Sequence, residues 1–265
     1  MIEKVPFRLI QISDIHLFAD AKRDLLGVKT EDSFQAVIDL LHQHEKHMDL
    51  ILLSGDIAQD NSHDAYVRVA QALESFHVPV YCVPGNHDDP HTMAKVYPLA
   101  TISNERHIVL KNWHIILLNS QRHQAVEGNF AESELIYLQR CLQKYPEHHA
   151  IIVFHHQPVP VGSKWLDNLG LKNAKEFWRV VKQYPKVHTV LFGHVHQEFE
   201  TMVEGIKCYA VPSTCIQFKC QDAFKLENLP PGYRWVDLYE DGKLVTGVRR
   251  AANYVGVYDP HAKGY

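Results

Sequence analysis

The sequence lacks the features that mark several whole classes of protein. No apolar run approaches the roughly 18 residues that a membrane-spanning helix needs, so a transmembrane reading is excluded. The first residues, MIEKVPFRLIQIS, run straight into a strand-like stretch without the apolar segment and cleavage site of a signal peptide. Cysteine is scarce: there are five, an odd number, at positions 82, 141, 208, 215 and 220, with no CxxC pair. That argues against a disulfide framework or zinc ribbon and makes a reducing cytoplasm the expected setting. Positive charge is not in excess either. The formal net charge is -4, and Lys and Arg are scattered without a stripe, so nucleic acid is not an expected partner. Internal repeats, low-complexity tracts and a linker are all missing, which predicts one domain over residues 1–265. The chain is 46% hydrophobic and 22% charged, a globular profile. Its one unusual count is 19 histidines, which raises the question of metal.

A series of short apolar runs, each ending in polar residues, organises the chain. Phe7 to Ile12 runs into Ser13-Asp14-Ile15-His16, and Leu50 to Leu53 into Ser54-Gly55-Asp56. Val80 to Val83 leads to Pro84-Gly85-Asn86-His87-Asp88, and Ile115 to Leu118 to Asn119-Ser120. Ile151 to Phe154 ends in His155-His156, and Val190 to Phe192 in Gly193-His194-Val195-His196. Such runs read as strands buried on both faces. Helical faces fall between them: Phe34, Val37, Ile38 and Leu41; Tyr66, Val69, Ala70 and Leu73, with Ser62 as N-cap; Leu135, Leu138 and Leu142; Phe177, Val180, Val181 and Tyr184. Alternating strand and helix predicts an α/β layered fold. The last third reads as two hairpins, one turning at Glu204-Gly205 and one at Asp241-Gly242. The hairpin-rich part, about 198–250, is expected to belong to a second sheet.

All the polar clusters follow strands, and ligands in open α/β sheets bind beyond the carboxyl ends of strands. Each cluster alone has an ordinary explanation. Asp14-x-His16 fits a turn Asp beside a surface His, and Gly55-Asp56 fits a turn or helix cap. Gly85-Asn86-His87-Asp88 fits a Gly-Asn turn, or an Asn ligand with a proton-donating His oriented by the Asp. Of His155 and His156, adjacent residues that point in different directions, only one is expected to be a ligand. If Gly193 to His196 stayed extended, both imidazoles would share a side and each could serve a different ion. Five strand ends carrying Asp, Asn or His favour the joint reading. Mixed imidazole and oxygen donors without thiolate suit two ions of the Mn, Fe or Zn kind and disfavour calcium.

The order D-x-H, G-D, G-N-H-D, H, G-H-x-H, from residue 14 to 196, resembles the calcineurin-like binuclear metallophosphoesterase family. The resemblance implies a four-layer α/β/β/α sandwich of two mixed sheets flanked by helices. It implies one metal held by Asp14, His16, Asp56 and His196, and a second held by Asp56, Asn86, His155 and His194, with Asp56 bridging. His156 is the fallback for His155. Iron and manganese are the expected metals, with zinc or magnesium as alternatives. His87 becomes the acid near the metals and Asp88 its orienting partner, and substrate contact is expected at His16, Asn86, His87 and His196. Leu25-Leu26-Gly27-Val28, Gly55 to Asp60, Pro212 to Lys219 and Pro231-Gly232-Tyr233-Arg234 resemble the bacterial 3',5'-cyclic AMP phosphodiesterases of the CpdA type. That narrower likeness implies hydrolysis of cyclic AMP to 5'-AMP by in-line attack of a hydroxide bridging the metals, with His87 protonating the leaving oxygen.

The charge balance at such a site fits any phosphoester. A 2',3'-cyclic nucleotide or a glycerophosphodiester therefore remains an alternative substrate, and a silent scaffold a more distant reading. Ser213 to Phe218 is expected at the mouth of the site, with Phe218 either stacking on a base or buried as core. His42, His44 and His47 read as a solvated helix end rather than a further metal site. No heptad or broad apolar stripe decides between monomer and homodimer.

Overall fold

A computed structural model describes residues 5–254 and 256–264. Its first half runs β1 (Phe7–Ile12), β2 (Asp24–Leu25), β3 (Val28–Lys29), α1 (Thr30–His44), β4 (Leu50–Leu53), α2 (His63–Glu74), β5 (Val80–Cys82) and α3 (Pro90–Val96). Then come β6 (Ile102–Ser103), β7 (His107–Leu110), β8 (Trp113–Leu117), α4 (Glu132–Lys144), β9 (His149–Val153), α5 (Lys164–Asp167) and α6 (Ala174–Val181). The last part is all strand: β10 (Val187–Phe192), β11 (Phe199–Val203), β12 (Ile206–Ala210), β13 (Gln217–Phe218), β14 (Leu226–Glu227), β15 (Gly232–Leu238) and β16 (Leu244–Arg250).

Two six-stranded sheets form, ordered β16-β15-β1-β4-β5-β6 and β11-β12-β10-β9-β8-β7. In the first, β1, β4, β5 and β6 are parallel, and β15 and β16 add antiparallel at one edge. In the second, β12, β10, β9 and β8 are parallel between antiparallel β11 and β7. The two-residue period of a strand then sorts the core. Leu50 and Leu52 of β4 meet Ile151 and Val153 of β9 between the sheets. Ile51 and Leu53 turn to the other face, against Phe34, Val37, Tyr66 and Val69 of α1 and α2. Ala150 and Ile152 likewise turn toward Leu138, Leu142, Phe177 and Val181 of α4 and α6. The result is an α/β/β/α sandwich. No helix among the described residues is long and apolar enough to cross a membrane.

Two expectations need correction. The hairpins do not both enter the second sheet: β11 and β12 do, whereas β15 pairs antiparallel with β1 in the first. The reason is chemical as well as topological. Arg8 of β1 is the cross-strand partner of Asp237 of β15 and grips it with two bonds of 2.6 Å. Arg8 also bonds Glu45 at 2.8 Å, and that buried carboxylate accepts from Tyr233 Oη at 2.6 Å and Arg249 Nε at 3.2 Å. A buried carboxylate needs such partners, and β1, β15 and β16 supply them. Ser62 occupies the N-cap position of α2, but its hydroxyl makes no capping bond.

Candidate metal centre

The carboxyl ends of β1, β4 and β5 in one sheet and of β9 and β10 in the other meet at a common edge. After β1, β4 and β10 the chain turns left-handed: φ is 55° at Asp14, 54° at His16, 51° at Asp56, 67° at His194 and 48° at His196. A non-glycine residue held in that region costs of order 1 kcal/mol, so strain is gathered at the side chains the sequence singles out. Gly193 lets the two sheets touch. A Cβ there would collide with Ser13 Oγ and lie 2.9 Å from Asp14 Oδ2. The Gly193–His196 segment is therefore not extended, as the alternation argument supposed. Its left-handed turns send the imidazoles apart: the His194 ring lies 5.1 Å from that of His155, and the His196 ring 5.1 Å from that of His16.

Two lobes result. Ligand atoms of Asp14, His16 and His196 lie within 4.8 Å of one another, as do those of His155, His156 and His194. Asp14, Asp56 and His155 form a third such group that joins the lobes, and His16, Asp56 and His87 a fourth. His196 Nε2 is 3.3 Å from Asp14 Oδ1, His155 Nε2 is 3.2 Å from Asp56 Oδ2, and His155 Nε2 is 3.2 Å from Asn86 Oδ1. The opposite ring nitrogens face acceptors outside the cluster. His16 Nδ1 meets Gln59 Oε1 at 2.6 Å, and Nδ1 of His155 and of His196 meet the Ser54 and Ile216 carbonyls, each at 2.8 Å. Carbonyl oxygens only accept, so each of these Nδ1 atoms carries a proton and each Nε2 faces inward.

The electrostatics describe a site built for positive charge. Asp14, His16, Asp56, His155 and His196 are all fully buried. Burial would raise both aspartates, but neighbouring histidines outweigh it: His196 and His155 for Asp14, His155 and His87 for Asp56, so both stay charged. Burial pushes His16 down to about 3 and His194 well below the usual histidine value, which keeps them neutral donors. At His155 the same burial loses to Asp56 and Asp14, and the imidazole rises to about 9. No Lys or Arg among the described residues pairs with Asp14 or Asp56. His194 Nε2 is buried without a hydrogen bond, and Asp56 Oδ2 meets the His155 ring at 3.2 Å. Inward ring nitrogens beside buried carboxylates fit divalent metal ions.

The calcineurin-like phosphoesterase pattern matches residues 7–198. The chain belongs to that family. Among curated calcineurin-like relatives, the 3',5'-cyclic adenosine monophosphate phosphodiesterase CpdA of Escherichia coli K12 is 40% identical over 97% of this chain and 94% of its own length. The CpdA of Pseudomonas aeruginosa is 36% identical over 97% and 94%. A 3',5'-cyclic-nucleotide phosphodiesterase of Nostoc is 37% identical over 94% of each chain. In fold, the chain is similar to a dimetal phosphatase of Danio rerio, with a TM-score of 0.73 at 15% identity, covering 94% of this chain and 97% of that one.

The calcineurin-like site also bears on the finer assignments. Both nitrogens of His156 are engaged, Nδ1 with Ser120 Oγ at 2.8 Å and Nε2 with the Val126 carbonyl at 3.0 Å. His155, aimed at Asn86 and Asp56, is the better placed of the pair. Asp88 does not orient His87. Its carboxylate accepts from the amides of Ile57 (3.0 Å), Ala58 (3.0 Å) and Gly85 (2.8 Å) and from Tyr66 Oη (3.1 Å). A buried carboxylate takes as many donors as it can reach, and here those donors are the backbones of the Asp56 and Asn86 loops. Burial and then Asp56 raise Asp88 to about 6. Half-buried His87 keeps its place by donating its amide N–H to Asp56 Oδ1 at 2.8 Å, with its ring edge-on to His16 at 5.2 Å. Phe218 is 1% exposed and stacks on His196 at 4.1 Å and 12°, so it supports an imidazole as core rather than offering a face to a base. Gln59 and Tyr66, which hold His16 and Asp88, were given no site role by the sequence: Gln59 stood only within the Gly55 to Asp60 stretch and Tyr66 only on a helical face.

Proposed function

We propose that this protein is a metal-dependent phosphodiesterase that hydrolyses 3',5'-cyclic AMP to 5'-AMP. The observation that carries the reading is the convergence of buried carboxylates and inward ring nitrogens in two lobes bridged by Asp56, with His194 Nε2 left without a hydrogen bond. The substrate comes from the activity borne in the relatives' names. Two ions are held, one by Asp14, His16, Asp56 and His196, the other by Asp56, Asn86, His155 and His194. Mixed imidazole and oxygen donors suit iron or manganese, and admit zinc. When bound, the ions supply positive charge to the phosphoryl oxygens and lower the pKa of a water toward neutrality.

The chain's own residues do the rest. The two aspartates keep the site short of neutralising two divalent ions, so the anionic diester is drawn to it despite an acidic chain. His16, Asn86 and His196 line the phosphate position. His87, anchored through its amide on Asp56, gives a proton to the departing ribose 3'-oxygen. The test is metal-stripped protein re-supplied with manganese, iron, zinc or magnesium. It is offered 3',5'-cyclic AMP, 3',5'-cyclic GMP, 2',3'-cyclic AMP and bis-p-nitrophenyl phosphate. Metal-dependent release of 5'-AMP from 3',5'-cyclic AMP in preference to the others is the expected result. Hydrolysis of no diester under any metal overturns the reading.

A further inference from the structure

Directly after His196 stands Gln197, 9% exposed, to which the metal chemistry gives no task. Its Nε2 is buried with no hydrogen-bond partner, and no hydrogen bond among the described residues involves its Oε1. An amide left unpaired at that depth is costly and calls for a partner from outside the chain. Gln197 lines a cleft of about 380 Å³, within the range of small-ligand sites, together with His196, Gln217, Phe218, Glu227 and Arg250. The other amide in that wall is spent: Gln217 donates to the Ser213 carbonyl at 2.8 Å and accepts from Arg250 Nη1 at 3.1 Å. Phe218 is committed to His196. His196 is shared between cleft and metal centre, since its Nε2 faces Asp14 at 3.3 Å. The cleft and the metal centre thus have His196 as a common wall.

We propose that the cleft is the nucleobase subsite and that Gln197 reads adenine in it. The inference rests on the cyclic-nucleotide reading above and adds the source of its base selectivity. A carboxamide offers one acceptor and one donor side by side. Adenine presents the complement along one edge, the 6-amino donor and the N7 acceptor, and a Gln amide pairs with both. Guanine presents two acceptors there, O6 and N7, so one end of the amide is left facing a like group. Rotation about the terminal side-chain torsion, which is broad for a Gln, brings both atoms to the base.

The test compares kcat/KM of the metal-loaded enzyme for 3',5'-cyclic AMP, 3',5'-cyclic GMP and the 3',5'-cyclic monophosphate of purine riboside, which lacks the 6-amino group. Each value is divided by that for bis-p-nitrophenyl phosphate, which has no base, in the same preparation. The parent is expected to favour cyclic AMP over both analogues by about tenfold, the value of one bidentate pair. Gln197→Ala is expected to remove that preference, and Gln197→Glu, which keeps the acceptor for the 6-amino group but has no N–H for N7, to lower all three purine values while keeping cyclic AMP ahead. Metal content and melting temperature identify a variant that has lost its centre, and the comparison of analogues on the parent needs no variant. A parent without preference, or a Gln197→Ala enzyme that keeps its preference within about twofold, overturns the role of Gln197 while leaving cyclic AMP hydrolysis standing. Turnover of bis-p-nitrophenyl phosphate with no cyclic nucleotide cleaved by the parent overturns the substrate reading itself, and this inference with it.

Discussion

Replacing Asp88 tests whether its carboxylate braces the two loops or serves His87. Three buried amides, those of Ile57, Ala58 and Gly85, and the Tyr66 hydroxyl all donate to it. In Asp88→Ala each amide loses its acceptor. At about 1.5 kcal/mol per orphaned donor, with some relief from water entering the space, the loss is about 4 kcal/mol. For a chain of this size that is a fall of about 12 °C in melting temperature. Asp88→Asn keeps an oxygen for Ile57 and Ala58 but turns an NH2 toward the Gly85 amide, so about 2 kcal/mol and about 6 °C are expected. The braced loops carry Asp56 and Asn86, so both variants should also take up less metal. Calorimetry of metal-stripped protein gives the first number, and metal stoichiometry after re-supply and desalting gives the second. If Asp88→Asn melted within about 2 °C of the parent and loaded metal fully while turning over slowly, the bracing argument would fail and a role toward His87 would be restored.

Further outcomes follow from the geometry. His155→Ala should abolish binding of one metal equivalent and nearly all activity. His156→Gln should keep both metals and lose about 1–2 kcal/mol of stability from its bonds to Ser120 and Val126, as metal analysis and melting would show. Glu45→Ala leaves Arg8, Arg249 and the Tyr233 hydroxyl without their shared carboxylate and should cost about 3–5 kcal/mol, measured by urea unfolding. Gly193→Ala should deplete metal, because its Cβ drives Ser13 and Asp14 apart; metal content at or near the parent level would contradict the close approach. His114, pushed down to about 4 by burial and then by His107 and His148, takes up its proton less readily folded than unfolded. Stability should fall as pH drops from the ordinary histidine range toward about 4, and His114→Gln should flatten that slope in acid melts.

The layers could be read from the sequence because their signals are local. β4 and β9 are continuous apolar runs, and the faces of α1, α2 and α4 repeat with helical period. The site residues were legible for the same reason, each lying within a few residues of a strand end. Which sheet β15 joins was not legible, because strand pairing depends on partners more than two hundred residues apart, Arg8 and Asp237 among them. The direction of the Asp88 carboxylate depends on how two loops dock, and no pattern in Gly85 to Asp88 encodes it. Gln197 went unremarked because an unpaired amide is a property of its surroundings, not of its neighbours in the chain.

The two lobes share one further property with mechanical meaning. Their contacts cross between the sheets: Asp14 and His16 face His196, and Asp56 and Asn86 reach His155. Just beneath, Gln11 of β1 donates both to Ser54 Oγ at 2.9 Å and, across the sandwich, to the Phe192 carbonyl at 3.1 Å. The spacing of the two lobes is thereby geared to the gap between the sheets, and the apolar layer of Leu52, Ile151 and Leu191 sets that gap like a shim. Volume changes in this layer would shift one lobe against the other, giving evolution a dial on the site that leaves each of its side chains in place.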